Sequence, residues 1–425
     1  MKSLNSKKWC RVPIVELCEA HVDCVNRTAP VVDSPTPYKM IRTTNVRDGF
    51  IDTENVRCVT EETYKKWTRR LIPKRGDVIL TREAPLGKVG KIRSDDQIFL
   101  GQRLYHFRTN PQKLDADFLL YALLYDDLQG QIRGYGSGAT VEHMRLEDVP
   151  CLEILLPEIE EQRKIAAILS AYDELIENNL RRIKILEEMA QNLYREWFVK
   201  FRFPGHEQAR FVDSPLGMIP EGWEAVAFTD IADILSGGTP STSVEEYWSG
   251  SIPFFAPKDA PESFYVTNTE KSITALGLKK CNSKLYQKNT VFITARGTVG
   301  KVVMPSMDMA MNQSCYALRG KEGISQLYLF LATKDKVEYL KKNTGGATFE
   351  TIVVDTFKRM LVAKPCREVI NQFSCLIQAV IEMILNVLKK NTTLRRTRDM
   401  LLPRLISGEV DVSRLDIAIP EEAVA

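Results

Sequence analysis

The sequence predicts an α+β chain: two tandem α/β domains separated by two long helices that pair as an antiparallel coiled coil. Three observations carry this. The chain repeats itself after about 210 residues. Each repeat holds apolar, β-branched runs that end in glycine-rich turns. Each closes with a long stretch whose apolar residues recur at alternating steps of four and three.

The duplication is read element by element. Each copy opens on a Trp with a Val three residues later, Trp9/Val12 and Trp223/Val226. Val78-Ile79-Leu80-Thr81 and Val291-Phe292-Ile293-Thr294 read as buried strands. Each runs on to a Gly-x-Val-Gly-Lys turn, Gly87–Lys91 and Gly297–Lys301. A Gln with an aromatic three residues on follows, Gln102/Tyr105 and Gln313/Tyr316, and residues 115–129 and 325–340 are helical by spacing. Then come Gly138-Ala-Thr140 and Gly346-Ala-Thr348, and a proline, Pro157 or Pro365, just before each long helix. The predicted division is 1–157 for the first domain and 158–203 for the first helix. It continues with 204–365 for a linker and second domain, 366–408 for the second helix, and 409–425 for a tail. So long a period excludes a solenoid and implies two copies of a whole unit.

The helices are the plainest elements. The first seam runs Ile165, Leu169, Tyr172, Ile176, Asn179, Ile183, Leu186, Ala190, Leu193, Trp197. The second runs Phe373, Ile377, Val380, Ile384, Val387, Asn391, Leu394, Arg398, Leu401, Leu405, with Pro403 expected to mark its end. From Ile165 to Trp197 a helix would extend about 50 Å. So long a rod with one apolar seam must pair. Antiparallel pairing puts Ile165 level with Leu405, Trp197 level with Phe373, and Asn179 level with Asn391.

A length of 425 residues, 44% hydrophobic and 27% charged, describes a globular protein with a full core. The N-terminal residues lack the apolar run of a secretory signal, and Phe118–Tyr125, taken as the most apolar stretch, is too short for a membrane span. Nine cysteines without a Cys-x-x-Cys suit a reducing compartment, and a cytoplasmic location is expected. The net charge of +3 is modest, but its distribution is not. In residues 39–93 Lys and Arg outnumber Asp and Glu by about two to one. Residues 271–301 carry basic side chains at 271, 279, 280, 284, 288, 296 and 301 and no acidic one. Basic stretches at matching places in two copies are the footprint of a polyanion.

Catalytic patterns are missing from the sequence. With no Pro-Pro dipeptide, the Asn-Pro-Pro-aromatic loop of amino-methyltransferases cannot form. No Gly-x-x-x-x-Gly-Lys-[Ser/Thr] phosphate loop occurs, and four histidines without His-x-x-x-His offer little to a catalytic metal. Cys10, Cys18, His21 and Cys24 could be read as a zinc site, but the second copy has nothing like them, and buried thiols are the expectation.

In order along the chain, several motifs resemble the specificity subunit of type I restriction–modification systems. IPEGWEAV (219–226), SGGTPST (236–242) and IPFFAPKD (252–259) are similar to the start of that family's target recognition domain. MIRTTNVRDGFI (40–51) with GDVILTREAPLGKVG (76–90) resembles its middle. PEIEEQRKIAAIL (157–169) with LYREWFVKF (193–201), and LLPRLISGEV (401–410), resemble its central and C-terminal helical regions. Two departures stand out. The first copy has Asn26-Arg27-Thr28-Ala29-Pro30 in place of Gly-Gly-Thr-Pro, and Glu368-Val369-Ile370-Asn371-Gln372 in the second replaces the Glu-Gln-Arg of the first.

The resemblance implies a chain without catalytic activity or cofactor of its own. Each target recognition domain would read one half of an asymmetric bipartite double-stranded DNA target. The paired helices would set the spacer and dock adenine methyltransferase (modification) subunits. Restriction/translocase subunits would join them, so that S-adenosylmethionine, ATP and Mg belong to the partners. Candidate DNA-binding residues lie beside the matched turns: Arg42, Asn45, Arg47, Arg82, Lys88, Gln102 and Arg103 in the first copy, Lys258, Arg296, Lys301 and Gln313 in the second. Tyr194, Trp197, Phe198 and Phe201 are candidates for partner docking. Asn179 and Asn391 are candidates for fixing helix register. A stand-alone DNA-binding regulator or coiled-coil scaffold is the alternative.

Overall fold

Val78–Arg82 and Val291–Thr294, the apolar runs of the two repeats, are the inner strands around which each domain is built. The computed structural model describes residues 9–137, 142–343 and 351–419. It falls into two compact units, residues 1–176 with 393–425, and residues 177–392.

In the first unit a four-stranded antiparallel sheet has the order Cys18–Asp23, Leu104–Thr109, Val78–Arg82, Leu86–Lys91. A smaller sheet joins Arg57–Cys58, Tyr38–Ile41 and Gln97–Leu100. In the second unit the order is Ala232–Ser236, Cys315–Gly320, Val291–Thr294, Val302–Pro305, with Tyr265–Val266 added in parallel as a fifth strand. The registers match: Val78 pairs with Phe107, and Val291 with Leu318. Each domain is tied at its ends by a strand pair, Cys10–Pro13 with Glu153–Leu156 and Glu224–Ala227 with Leu361–Lys364.

Helices follow the predicted periodicity with two differences. The helical stretch after the first sheet is split at Tyr125 into Ala116–Leu124 and Asp126–Gly134, with Asp115 capping the first half, whereas Gln326–Asn343 is continuous. The first long helix spans Ile159–Tyr194 and ends in a π-helical turn, Arg195–Val199. The second spans Arg367–Ile406, so Pro403 lies inside its last turn and does not end it. The stop is Gly408, at φ +75, with Val410 N–H donating back to the Arg404 carbonyl at 3.0 Å. A glycine in the left-handed region closes a helix in this way at no steric cost.

Each unit has its own core. In the first, Leu120, Leu123, Ile132, Ile165, Leu169, Leu405 and Ile406 are buried together. In the second, Trp197, Phe198, Phe228, Tyr328, Phe330, Phe373 and Ile377 are. By length and composition alone, Arg367–Ile406 is apolar enough to cross a membrane, with a mean hydropathy of 1.4 over 18 residues. That helix, and not the shorter run at 118–125, has the length of a membrane span. One stripe of the helix is occupied within the protein, since Phe373, Ile377 and Ile384 are fully buried, while Leu376 and Met383 stay about half exposed.

Candidate nucleic-acid interface

The matched turns are held by the same device in both copies. Thr81, next to last in Val78–Arg82, and Thr294, last in Val291–Thr294, have side chains that are fully buried. Thr81 Oγ1 donates to the Pro85 carbonyl at 2.5 Å and accepts from Lys88 N at 2.8 Å. Thr294 Oγ1 donates to the Thr298 carbonyl and accepts from Lys301 N at 2.9 Å. Gly87 and Gly297 both sit at φ +81, where a side chain would be strained. The threonines were not among the residues singled out. Their signal is in the sequence, since Thr is the fourth residue of both apolar runs, 78–81 and 291–294.

A second device recurs at the glutamines. With its amide oriented to accept, Gln102 takes the backbone N–H groups of Arg27 at 3.2 Å and Thr28 at 3.1 Å. Gln313 accepts from Thr239 Oγ1. Arg27-Thr28 belongs to the stretch that stands in place of Gly-Gly-Thr-Pro, and Thr239 to that motif itself. The departure between the copies thus keeps one function, a loop anchored by a glutamine. These two side chains serve the fold of the site, which leaves less of them for a ligand.

Most candidate cations are already engaged. Lys88 Nζ lies 2.9 Å from Asp48, Arg103 Nε 3.1 Å from Glu83, and Arg82 donates to the Met144 carbonyl at 2.8 Å. Lys258 pairs with Glu270 and Lys301 with Glu262. The hydrogen bond from Lys301 holds the Glu262 carboxyl below its usual range. Arg42 is half-buried and its Nε has no partner. Arg47 and Arg296 are exposed, and among the described residues neither side chain has an ion-pair or hydrogen-bond partner. A polyanion would therefore meet Arg47 and Arg296 directly and the lysines only by displacing carboxylates.

Two expectations of position differ from what is found. Asn45 is 3% exposed; its Oδ1 accepts from Arg42 N at 3.0 Å and its Nδ2 donates to the Asn55 carbonyl at 3.0 Å. With both ends of the amide committed to backbone inside the domain, it cannot reach a base. Tyr194, Trp197 and Phe198 are each 5% exposed. Their rings meet Phe373, Tyr328 and Trp223 of the same unit at centroid distances between 4.8 and 6.3 Å. Phe201 packs edge-on against Trp223. The aromatic surface expected to dock partners is covered by the second domain itself. The side of the pair left open in this unit carries Ile185, Met189, Leu376 and Met383, each about half exposed.

Cys18 Sγ donates to the Ile14 carbonyl, His21 Nδ1 meets Tyr105 Oη at 2.8 Å, and Cys24 Sγ accepts from Leu104 N, so these residues are taken up separately. Burial pushes the Cys18 thiol up to about 12. Among the described residues no cluster of His, Cys, Asp or Glu is placed to hold a metal. The Gly138–Thr140 and Gly346–Thr348 turns lie outside the described residues.

Comparison with known proteins decides the family. The profile described as "Type I restriction modification DNA specificity domain" matches residues 7–188 and again 220–400. The chain belongs to this family. The type I restriction enzyme MjaIX specificity subunit of Methanocaldococcus jannaschii is 26% identical over 365 residues, covering 84% of this chain and 83% of the relative. The HindI specificity subunit of Haemophilus influenzae is 23% identical over 400 residues, covering 79% and 87%. The crystal structure of a type I restriction–modification S subunit from M. genitalium superposes with a TM-score of 0.56 at 17% identity, covering 95% of this chain and 98% of that one. That likeness is one of fold. The two profile matches fall on the two repeats, so the duplication is a pair of specificity domains in one chain.

Proposed function

We propose that this chain is the DNA-reading subunit of a type I restriction–modification complex. Each specificity domain reads one half of an asymmetric bipartite duplex target. The observation that carries the reading is the recurrence, in two specificity domains of one chain, of a threonine- and glutamine-anchored turn with an exposed or displaceable cation beside it. Phosphate contacts at these turns would position the protein, and neighbouring side chains would read base edges. The two long helices pair antiparallel as a coiled coil and set the spacer between half-sites. Modification subunits dock on the open apolar side, at Ile185, Met189, Leu376 and Met383 rather than at the buried aromatics. The chain contributes no catalysis; methyl transfer from S-adenosylmethionine to adenine, and ATP- and Mg-dependent restriction, belong to the partner subunits.

The test is to express the chain with and without its modification subunits and map N6-methyladenine across the host genome. A single asymmetric split motif should appear only with the partners. Replacing residues 1–157 by the matching domain of a relative should change one half of that motif. Methylation by the chain alone, or a change in both halves, would sink the reading.

A further inference from the structure

Within the second unit the seam between the long helices is apolar except where two amides meet. Asn179 Nδ2 donates to Asn391 Oδ1 at 2.7 Å, and the two residues are 3% and 1% exposed. The adjoining seam positions in the same unit, Ile183, Ile384 and Val387, are also buried. A hydrogen-bonded amide pair in such a place contributes less stability than two packed leucines, so thermodynamic stability alone does not account for it.

From this geometry we infer that Asn179 and Asn391 lock the register of the helix pair and thereby restrict the chain to one spacing between DNA half-sites. The inference rests on the DNA-reading function proposed above. If one helix slides by a heptad, Asn179 comes opposite Ile384 or Arg398, and Asn391 opposite Tyr172 or Leu186. Of those four encounters, the two with Ile384 and Leu186, one in each direction of slip, leave a buried amide without a partner and with its desolvation cost, and in a third the amide trades its partner for the Tyr172 phenol. In the fourth, Arg398 would have to leave Asp173, to which it is bonded. Apolar layers alone discriminate poorly, because leucine, isoleucine and valine accept one another across a seam. A heptad is roughly 10 Å of helix, or about three base pairs at ~3.4 Å each. The lock therefore acts on a step that DNA can register.

The experiment uses the full chain co-expressed with its modification subunits. Asn391→Leu alone leaves Asn179 unpaired and should lower the thermal midpoint of the unit by several degrees. Asn179→Leu/Asn391→Leu together should fold and melt above the starting protein. Genomic N6-methyladenine mapping of the double variant should show the original split motif plus a second, with the same half-sites and a spacer displaced by about three base pairs. A double variant that is no more stable than the starting protein overturns the inference, and so does one that methylates only the original spacing. If the starting protein methylates no split motif at all, the DNA-reading function fails, and the order of the melting midpoints alone decides whether the amides form a lock.

Discussion

The domain-to-helix junction is charged in the first unit and aromatic in the second. In the first, Asp173 of the first long helix accepts from Tyr121 Oη at 2.7 Å and from Arg398 of the second helix, with Arg93 at 4.0 Å. In the second, the positions matching Asp173 and Arg398 are Ile381 and Ala190, and Phe198 packs between Tyr328, Trp223 and Phe373. A shared fold has been fastened in two ways. Apolar packing loses stability in proportion to the volume removed. A buried charge cluster fails abruptly when one partner goes, because the rest are left charged and unpaired.

The sharpest way to break this contrast is a matched pair of truncations. Asp173→Ala strands the Tyr121 hydroxyl, leaves Arg398 with Asp399 as its remaining partner, and should cost about 3 kcal/mol in the first unit. Phe198→Ala should cost a similar ~3–5 kcal/mol in the second. The distinguishing variant is conservative. Asp173→Leu, which fills the space, should stay as damaging as Ala, whereas Phe198→Leu should recover more than half of its loss. Hydrogen exchange read separately over Val78–Leu80 and Val291–Ile293 would assign each effect to its unit. Recovery by Asp173→Leu would mean the first junction is held by packing after all.

Acid sharpens the same comparison. Asp77 is 1% exposed and bound by His106 at 2.6 Å and Arg108 at 2.7 Å. Burial alone would raise its carboxyl; the hydrogen bonds from Arg108 and His106 outweigh it and hold the group below the usual carboxylate range. A depressed folded value gives stability that is present above the unfolded pKa of ~3.9 and is lost as pH falls through the folded value. Asp115 works the other way, since burial holds it above that range. The second copy has Thr290 in place of Asp77. Its Glu262 and Glu338, also held low, are on the surface, where screening leaves them little weight. Asp77→Asn should therefore lower the neutral stability of the first unit and flatten its decline below about pH 4, leaving the second unit unchanged. An acid limb that survives the substitution would locate the sensitivity elsewhere.

These differences mark what could be read in the sequence. The duplication, the inner strands, the Gly297–Lys301 turn and the level of the two asparagines were legible because each is periodic or local; the matching Gly87–Lys91, expected as a turn, is instead part of the strand Leu86–Lys91. The places of Tyr194, Trp197 and Phe198 were not, because the surface that buries them, Trp223, Tyr328 and Phe373, comes from residues far along the chain. Asn45 read as a surface loop residue because its partner, the Asn55 carbonyl, belongs to backbone geometry that no pattern reveals. The basic stretches were legible as charge, but their neutralisation was not. Asp48, Glu262 and Glu270 lie in short loops whose meeting with Lys88, Lys301 and Lys258 depends on the sheet.

That neutralisation gives the smallest expected effect and the finest comparison, between two cations of one turn. Arg296 is exposed with no partner among the described residues, while Lys301 is paired with Glu262. A free cation that neutralises a phosphate releases about one counterion, which steepens the dependence of log affinity on log salt by roughly 0.9. A cation that must first leave a carboxylate releases that counterion too, but exposes a negative charge beside the phosphate, and the two effects oppose each other. Arg296→Ala should therefore reduce the salt slope by about one unit for target and non-target duplex alike. Lys301→Ala should change it less, and Glu262→Gln should strengthen binding without altering which sequence is preferred. Titrations at several salt concentrations check all three. Equal slopes for the starting protein and Arg296→Ala would show that this turn does not face phosphate, and would move the DNA contact of the second domain to Lys258 and its neighbours.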